Sequence, residues 1–199
     1  MGFSGHFIFA RSERPLLEAP VFDGLGQDQK AAVHTLWPRP GGWQTLQLDT
    51  DSWSESQLPD LVEWTGAPAC TAWTFDSDMA HVTGLGTDGR RWEAKLHLDI
   101  AAALMVEDPE DLDDSSVWWS SPEFAEAARL IHTELDAEVP DVAASAIAWA
   151  ASAGVAVPDP QARIEEVLRS KKVFAEDVFF TLLDALGFPA AADLSPEHE

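Results

Sequence analysis

Cysteine, tyrosine and cationic side chains are what this chain has least of. Of its 199 residues one is cysteine, Cys70, and none is tyrosine. A lone cysteine closes no intramolecular disulfide, and without a cysteine cluster no thiolate zinc site is available. Within Ala69-Cys70-Thr71-Ala72-Trp73 the thiol reads as a small buried hydrophobe rather than a nucleophile. Basic residues number 12 against 35 acidic ones, a formal net charge of -23. A field of that sign repels nucleic acid and anionic membrane, and it attracts cations or basic proteins. No run reaches the roughly 20 apolar residues of a membrane span. The longest weakly polar stretch, Val142 to Val157, is mostly alanine and serine. The start, Met1-Gly2-Phe3-Ser4-Gly5-His6, lacks the basic opening and apolar core of a secretion signal and the Ser or Thr at position 6 of a myristoylation signal. The expected address is the cytoplasm.

What is present is enough apolar material to fold. The chain is 46% hydrophobic, with nine Trp and ten Phe, too much for a disordered polymer despite its charge. Its length allows one large core or two small ones. Abundant alanine and eight Arg against four Lys resemble the residue usage of a GC-rich bacterial genome. The charge is uneven: residues 1–100 are net -7 and residues 101–199 net -16, with the densest piece at Glu107, Asp108, Glu110, Asp111, Asp113 and Asp114.

Periodicity and turn residues predict an α+β chain, with a small antiparallel sheet and flanking helices over about 1–106. An acidic linker or loop follows over 107–120, then a helical region over 121–189 and a polar tail over 190–199; the first and third parts are compatible with one core or two. Gly5 to Ala10 has the length and apolarity of a strand, and Gln27 to Leu36 reads as a helix closed by Pro38-Arg39-Pro40-Gly41-Gly42. Trp43, Leu46 and Leu48 suggest a second strand, Leu58 to Trp64 a short helix, and Thr71 to Leu98 three antiparallel strands. Asp88-Gly89 is a strong hairpin signal, because both residues suit the positive φ of a type I′ turn. Setting Thr87 against Arg90 places Leu85, Thr83 and His81 opposite Trp92, Ala94 and Leu96 on the core side. That leaves Val82, Glu93, Lys95 and His97 on a wetter face. It separates His81 from His97 and argues against a two-histidine metal site.

Asp99 to Val106 reads as a short helix. Ser121 caps a further one with Pro122 in its first turn and an apolar stripe of Phe124, Ala127, Ala128, Ile131 and Leu135. Val142 to Ser152 reads as an alanine-rich helix, Asp159-Pro160 opens another, and the last runs from Phe174 to Leu186 with Gly187 at its end.

Chemical motifs fail on context. Gly84-Leu85-Gly86-Thr87-Asp88-Gly89 has the G-x-G-x-x-G spacing of dinucleotide-binding loops, yet the residues after it alternate as a strand and supply no helix N-terminus for a pyrophosphate. Asp76-Ser77-Asp78 after an apolar run has the look of a metal-holding glycosyltransferase motif, but reads better as a turn. Asp49-Thr50-Asp51 opens like a calcium loop that Trp53 then interrupts. The histidines are dispersed. No cofactor and no metal is expected.

Trp118-Trp119, read as an extended pair, directs one indole inward and leaves the other exposed beside the acidic run. The leading expectation is a non-enzymatic protein that binds a basic protein partner, such as an immunity or inhibitor protein. Its expected contact residues are Glu107, Asp108, Glu110, Asp111, Asp113, Asp114, Trp118 and Trp119. An enzyme built from dispersed carboxylates and histidines, with Asp76, Asp78 and His81 as its residues, is the alternative. A tryptophan-based carbohydrate module is a third reading.

Overall fold

The structure, a computed structural model of the chain, describes residues 2–33, 36–109, 115–158 and 160–188. Six strands form one antiparallel sheet: β1 (Gly5–Arg11), β2 (Leu36–Arg39), β3 (Trp43–Asp49), β4 (Ala69–Phe75), β5 (Met79–Leu85) and β6 (Arg91–Leu96), in the spatial order β2-β3-β1-β4-β5-β6. The helices are α1 (Gln27–Ala31), α2 (Leu58–Thr65), α3 (Leu98–Leu104), α4 (Ser115–Trp119), α5 (Pro122–Ser152), α6 (Gln161–Leu168) and α7 (Ala175–Ala185). The α+β architecture read from the sequence is the one observed.

β1 lies inside the sheet, so its alternating side chains must be apolar on both faces. Phe7 and Phe9 face α5, α6 and α7, where Trp43 stacks on Phe9 at 4.8 Å and Phe188 meets both rings edge-on. Ile8 and Ala10 face the opposite layer, built from α2 and short 3-10 turns that bring Leu16, Phe22, Trp53 and Leu61 beneath the sheet. The first layer joins Phe9 and Trp92 of the sheet to Val139, Ile164 and Phe179 of the helices, so the N-terminal and C-terminal regions share one hydrophobic core. No helix among the described residues is long and apolar enough to cross a membrane.

Three local expectations need correction. The helix at Gln27 ends at Ala31, and Leu36 to Arg39 pair with β3 through a Pro40-Gly41-Gly42 turn whose glycines both adopt φ of +80°. The Pro-Gly cluster turns a hairpin rather than closing a helix, and Pro38 is tolerated because β2 is an edge strand.

The Asp88-Gly89 hairpin exists, but with a three-residue loop. Gly86 N–H donates to Arg90 O at 2.9 Å, Gly89 N–H donates to Gly86 O at 3.0 Å, and Gly89 alone of the pair has positive φ. The extra loop residue slips the register by one, so Trp92 faces Gly84, Ala94 faces Val82, and Leu96 faces Ala80. Ala80, Val82 and Gly84 take the core side in place of His81, Thr83 and Leu85. The predicted opposition of His81 and His97 loses its basis: His97 has left the strand pattern at φ +60° to cap α3, and it lies buried with Nδ1 2.6 Å from Asp78 O.

Finally, the two helices expected across 121–152 are one. α5 runs 31 residues from its Ser121 cap, whose Oγ accepts from Phe124 N–H, and passes through Pro140. Proline removes the amide that would bond the Asp136 carbonyl. Arg169, just beyond α6, supplies a substitute donor: Nη2 reaches Asp136 O at 3.2 Å while Nε holds the Asp136 carboxylate at 2.7 Å.

Candidate functional site

The acidic run begins where α3 ends. Glu107 and Asp108 are exposed there, whereas Glu110, Asp111, Asp113 and Asp114 lie outside the described residues. Trp118 and Trp119 sit in α4, not in an extended segment. On a helix, successive side chains diverge by about 100° rather than pointing oppositely. Trp118 is half-buried with its ring edge against Phe124 at 6.0 Å. Trp119 is 59% exposed, and its Nε1 donates to Asp108 Oδ1 at 3.2 Å. An acid and an open indole expected to be neighbours are thus joined by a hydrogen bond, on a helix the sequence reading missed.

Asp76, Asp78 and His81 do not assemble. Asp76 and Ser77 are the central residues of a tight turn with φ of 47° and 60°, closed by Asp78 N–H donating to Phe75 O at 2.9 Å. Holding two non-glycine residues at positive φ costs energy, which the surrounding bonds offset. Gly2 N–H donates to Asp76 Oδ1 at 2.9 Å, Phe3 N–H donates to Ser77 Oγ at 2.8 Å, and Ser77 Oγ donates in turn to Glu176 Oε1 at 2.9 Å. Ala175 N–H donates to Ser77 O at 2.7 Å. These contacts tie the chain start and the first turn of α7 to the β4–β5 turn. His81 points elsewhere, with Nε2 3.4 Å from Glu93 Oε2. Burial lowers its pKa, and the Glu93 carboxylate opposes that shift.

Other candidates are equally structural. Burial pushes the Cys70 thiol far up, so it stays protonated near neutral pH. The Gly84 to Gly89 string is a strand end and a hairpin loop. Among the described residues no group of three or more His, Cys, Asp or Glu side chains converges as a metal site. Trp43, Trp53, Trp92 and Trp149 are core residues.

The most unusual surface is apolar, and the sequence reading did not anticipate it. Trp73, Phe75, Ile100, Leu104 and Met105 are each 36% to 51% exposed and cluster around α3. Trp73 and Phe75 stand on the outer face of β4, their rings 6.1 Å apart, and with Met79, Lys95, Ala101, Leu104 and Met105 they line a groove of about 320 Å³. Acids adjoin it in the chain: Asp76 and Asp78 lie in the turn joining Phe75 to Met79, and Glu107 and Asp108 follow Met105 after Val106. Apolar side chains scattered singly over a surface are ordinary, but these line one groove together.

Comparison with known proteins finds no matching family model, no matching curated protein and no matching solved structure.

Proposed function

We propose that this protein is a non-enzymatic binding protein whose target is a basic, partly apolar protein, in the manner of an immunity or inhibitor protein. The observation that carries the reading is the exposed apolar cluster of Trp73, Phe75, Ile100, Leu104 and Met105 set among acids in a chain of net charge -23. The two features divide the work of binding. A strongly negative field accelerates encounter with a cationic surface and repels nucleic acid, while desolvated aromatic and aliphatic contacts slow dissociation. Trp119, held to Asp108, supplies a second indole beside the acids.

The test is recovery of the partner from source cells with tagged protein, followed by association and dissociation kinetics. Raising ionic strength from about 0.01 M to about 0.1 M shortens the screening length from about 30 Å to about 10 Å. Association should slow at least tenfold over that range. Glu107→Gln with Asp108→Asn should slow it further at low salt, by a few-fold, with dissociation little changed. Trp119→Ala should instead speed dissociation about tenfold if the indole is a contact. An acidic partner, or association indifferent to salt, overturns the reading.

A further inference from the structure

We propose that the groove between α3 and the outer face of β4 and β5 is the docking site for a basic amphipathic helix of the partner, an inference that rests on the binding-protein reading above and adds the form of the ligand. The outer face of the sheet is covered by α2 and the 3-10 turns over β3, β1, the start of β4 and the facing end of β5, where Leu85 packs against that layer. At the other end of β4 the cover stops, and Trp73 and Phe75 stand in the open beside α3. A helix laid there completes the layer. α3 itself is apolar on two sides: Leu98, Ala101 and Ala102 are buried in the core, while Ile100, Leu104 and Met105 face outward. Apart from Asp99, which pairs with His132 and Lys171, the helix is apolar, and among the described residues only one of its two apolar sides is buried.

The lining selects the form of the occupant. Six of its seven residues are apolar, with the ammonium of Lys95 as the exception. An extended peptide would bring its unpaired N–H and C=O groups against those side chains and leave them unbonded, whereas a helix bonds its own backbone and presents only side chains. Met79 and Met105 both line the groove, and flexible thioethers let such a surface fit apolar stripes of varied shape.

Charge selects the partner. Asp76, Asp78, Glu107 and Asp108 adjoin the groove residues in the chain, on a molecule of net charge -23, so flanking Lys or Arg on the incoming helix is attracted. The same charge opposes a second copy of this chain, which would bring two strongly negative surfaces together.

The probe is a synthetic helical peptide of Leu and Lys with the leucines on one face. It is compared with an analogue of equal charge in which serine replaces leucine, and with a Leu/Gln analogue of equal apolarity and no charge. Binding to the full chain is read by calorimetry and by anisotropy of a labelled peptide. The Leu/Lys peptide should bind at least about tenfold tighter than either control. Phe75→Ser and Leu104→Ser should each weaken it about fivefold, because about half of each side chain remains to be buried. Both residues are surface-exposed, and Met105→Ser serves if either variant fails to fold. A negative heat-capacity change should accompany binding of the leucine-bearing peptide and be absent with the Ser/Lys one.

Equal binding of the Leu/Lys and Ser/Lys peptides, or indifference to the groove variants, overturns the groove and leaves the acidic binding-protein reading standing. Equal binding of the Leu/Gln peptide overturns the basic partner in both. A concentration-dependent dimer in sedimentation, lost in Leu104→Ser, overturns the choice of occupant in favour of a second copy.

Discussion

Gly84 and Trp92 offer a direct test of the sheet's register. They are opposite partners on β5 and β6, and a β-carbon built on Gly84 would overlap the Trp92 indole at Nε1. The backbone at Gly84 is open to alanine, since its φ lies outside the left-handed region, so the clash is the whole cost of Gly84→Ala. Forcing a core indole from its seat costs about 1 to 3 kcal/mol. Trp92→Ala removes a ring that is 5% exposed and packs on Trp149 at 5.6 Å, at a cost of about 3 to 5 kcal/mol. In the double variant the alanine at position 84 enters space the indole has left. The second substitution should then cost nearly nothing, giving a coupling of about 1 to 3 kcal/mol, well beyond the ~0.5 kcal/mol scatter of independent sites. Urea unfolding with linear extrapolation measures all four proteins, and each kcal/mol should also move the thermal midpoint by about 2 to 4 °C in a chain of this size. Additive costs would mean that Gly84 does not face the indole and that Leu85 does, as the two-residue turn predicted.

Two further outcomes follow from buried groups. Burial lowers the pKa of His6 to about 4, against a backbone hydrogen bond with Thr50 that raises it. The unfolded ring takes its proton below about pH 6.5 and the folded one only near pH 4, so stability is complete above 6.5 and is lost as pH falls through that window, by about 3 kcal/mol at most. Unfolding free energies at about pH 7 and about pH 4.5 should therefore differ less in His6→Gln than in the parent, and an unchanged pH profile would contradict the buried neutral ring. Arg169→Ala should cost about 1 kcal/mol in the parent and distinctly less in a Pro140→Ala background, where the restored amide serves the Asp136 carbonyl instead. Equal urea-derived costs in both backgrounds would show that Arg169 does not compensate for the proline.

The fold was legible where one residue type forces one geometry. Ser121-Pro122 announced the start of α5, Gly187 the end of α7, and the apolar Gly5 to Ala10 run became the inner strand that both layers cover. Legibility failed where a count of one residue decides the outcome. Asp88-Gly89 marks a hairpin in either register, and the choice lies in whether Thr87 joins the loop, which the hydrogen bonds of Gly86 settle and no side chain announces. The expected break between Leu135 and Val142 is absent because Arg169, 29 residues beyond Pro140 in the chain, supplies the donor that makes the proline tolerable.

The exposed apolar face beside α3 was illegible for a related reason. Charge is visible in a sequence because it needs no partner, so the acids at 107–114 stand out ahead of α3. Yet acids act at a distance of about a screening length, and they need not touch the molecule they attract. Contact requires apolar area, and the only sequence signal for that area was an excess: Leu98, Ile100, Ala101, Ala102, Leu104 and Met105 give α3 more apolar positions than one core-facing stripe can use. In a single sequence such a helix looks merely central. Only the three-dimensional arrangement, with the α2 layer reaching the start of β4 and the end of β5 but not Trp73 and Phe75, shows that among the described residues Leu104 and Met105 remain about half exposed. On the binding reading, the two features separate in kinetics: neutralising Glu107 and Asp108 changes how fast the partner arrives, and cutting back Phe75 or Leu104 changes how long it stays.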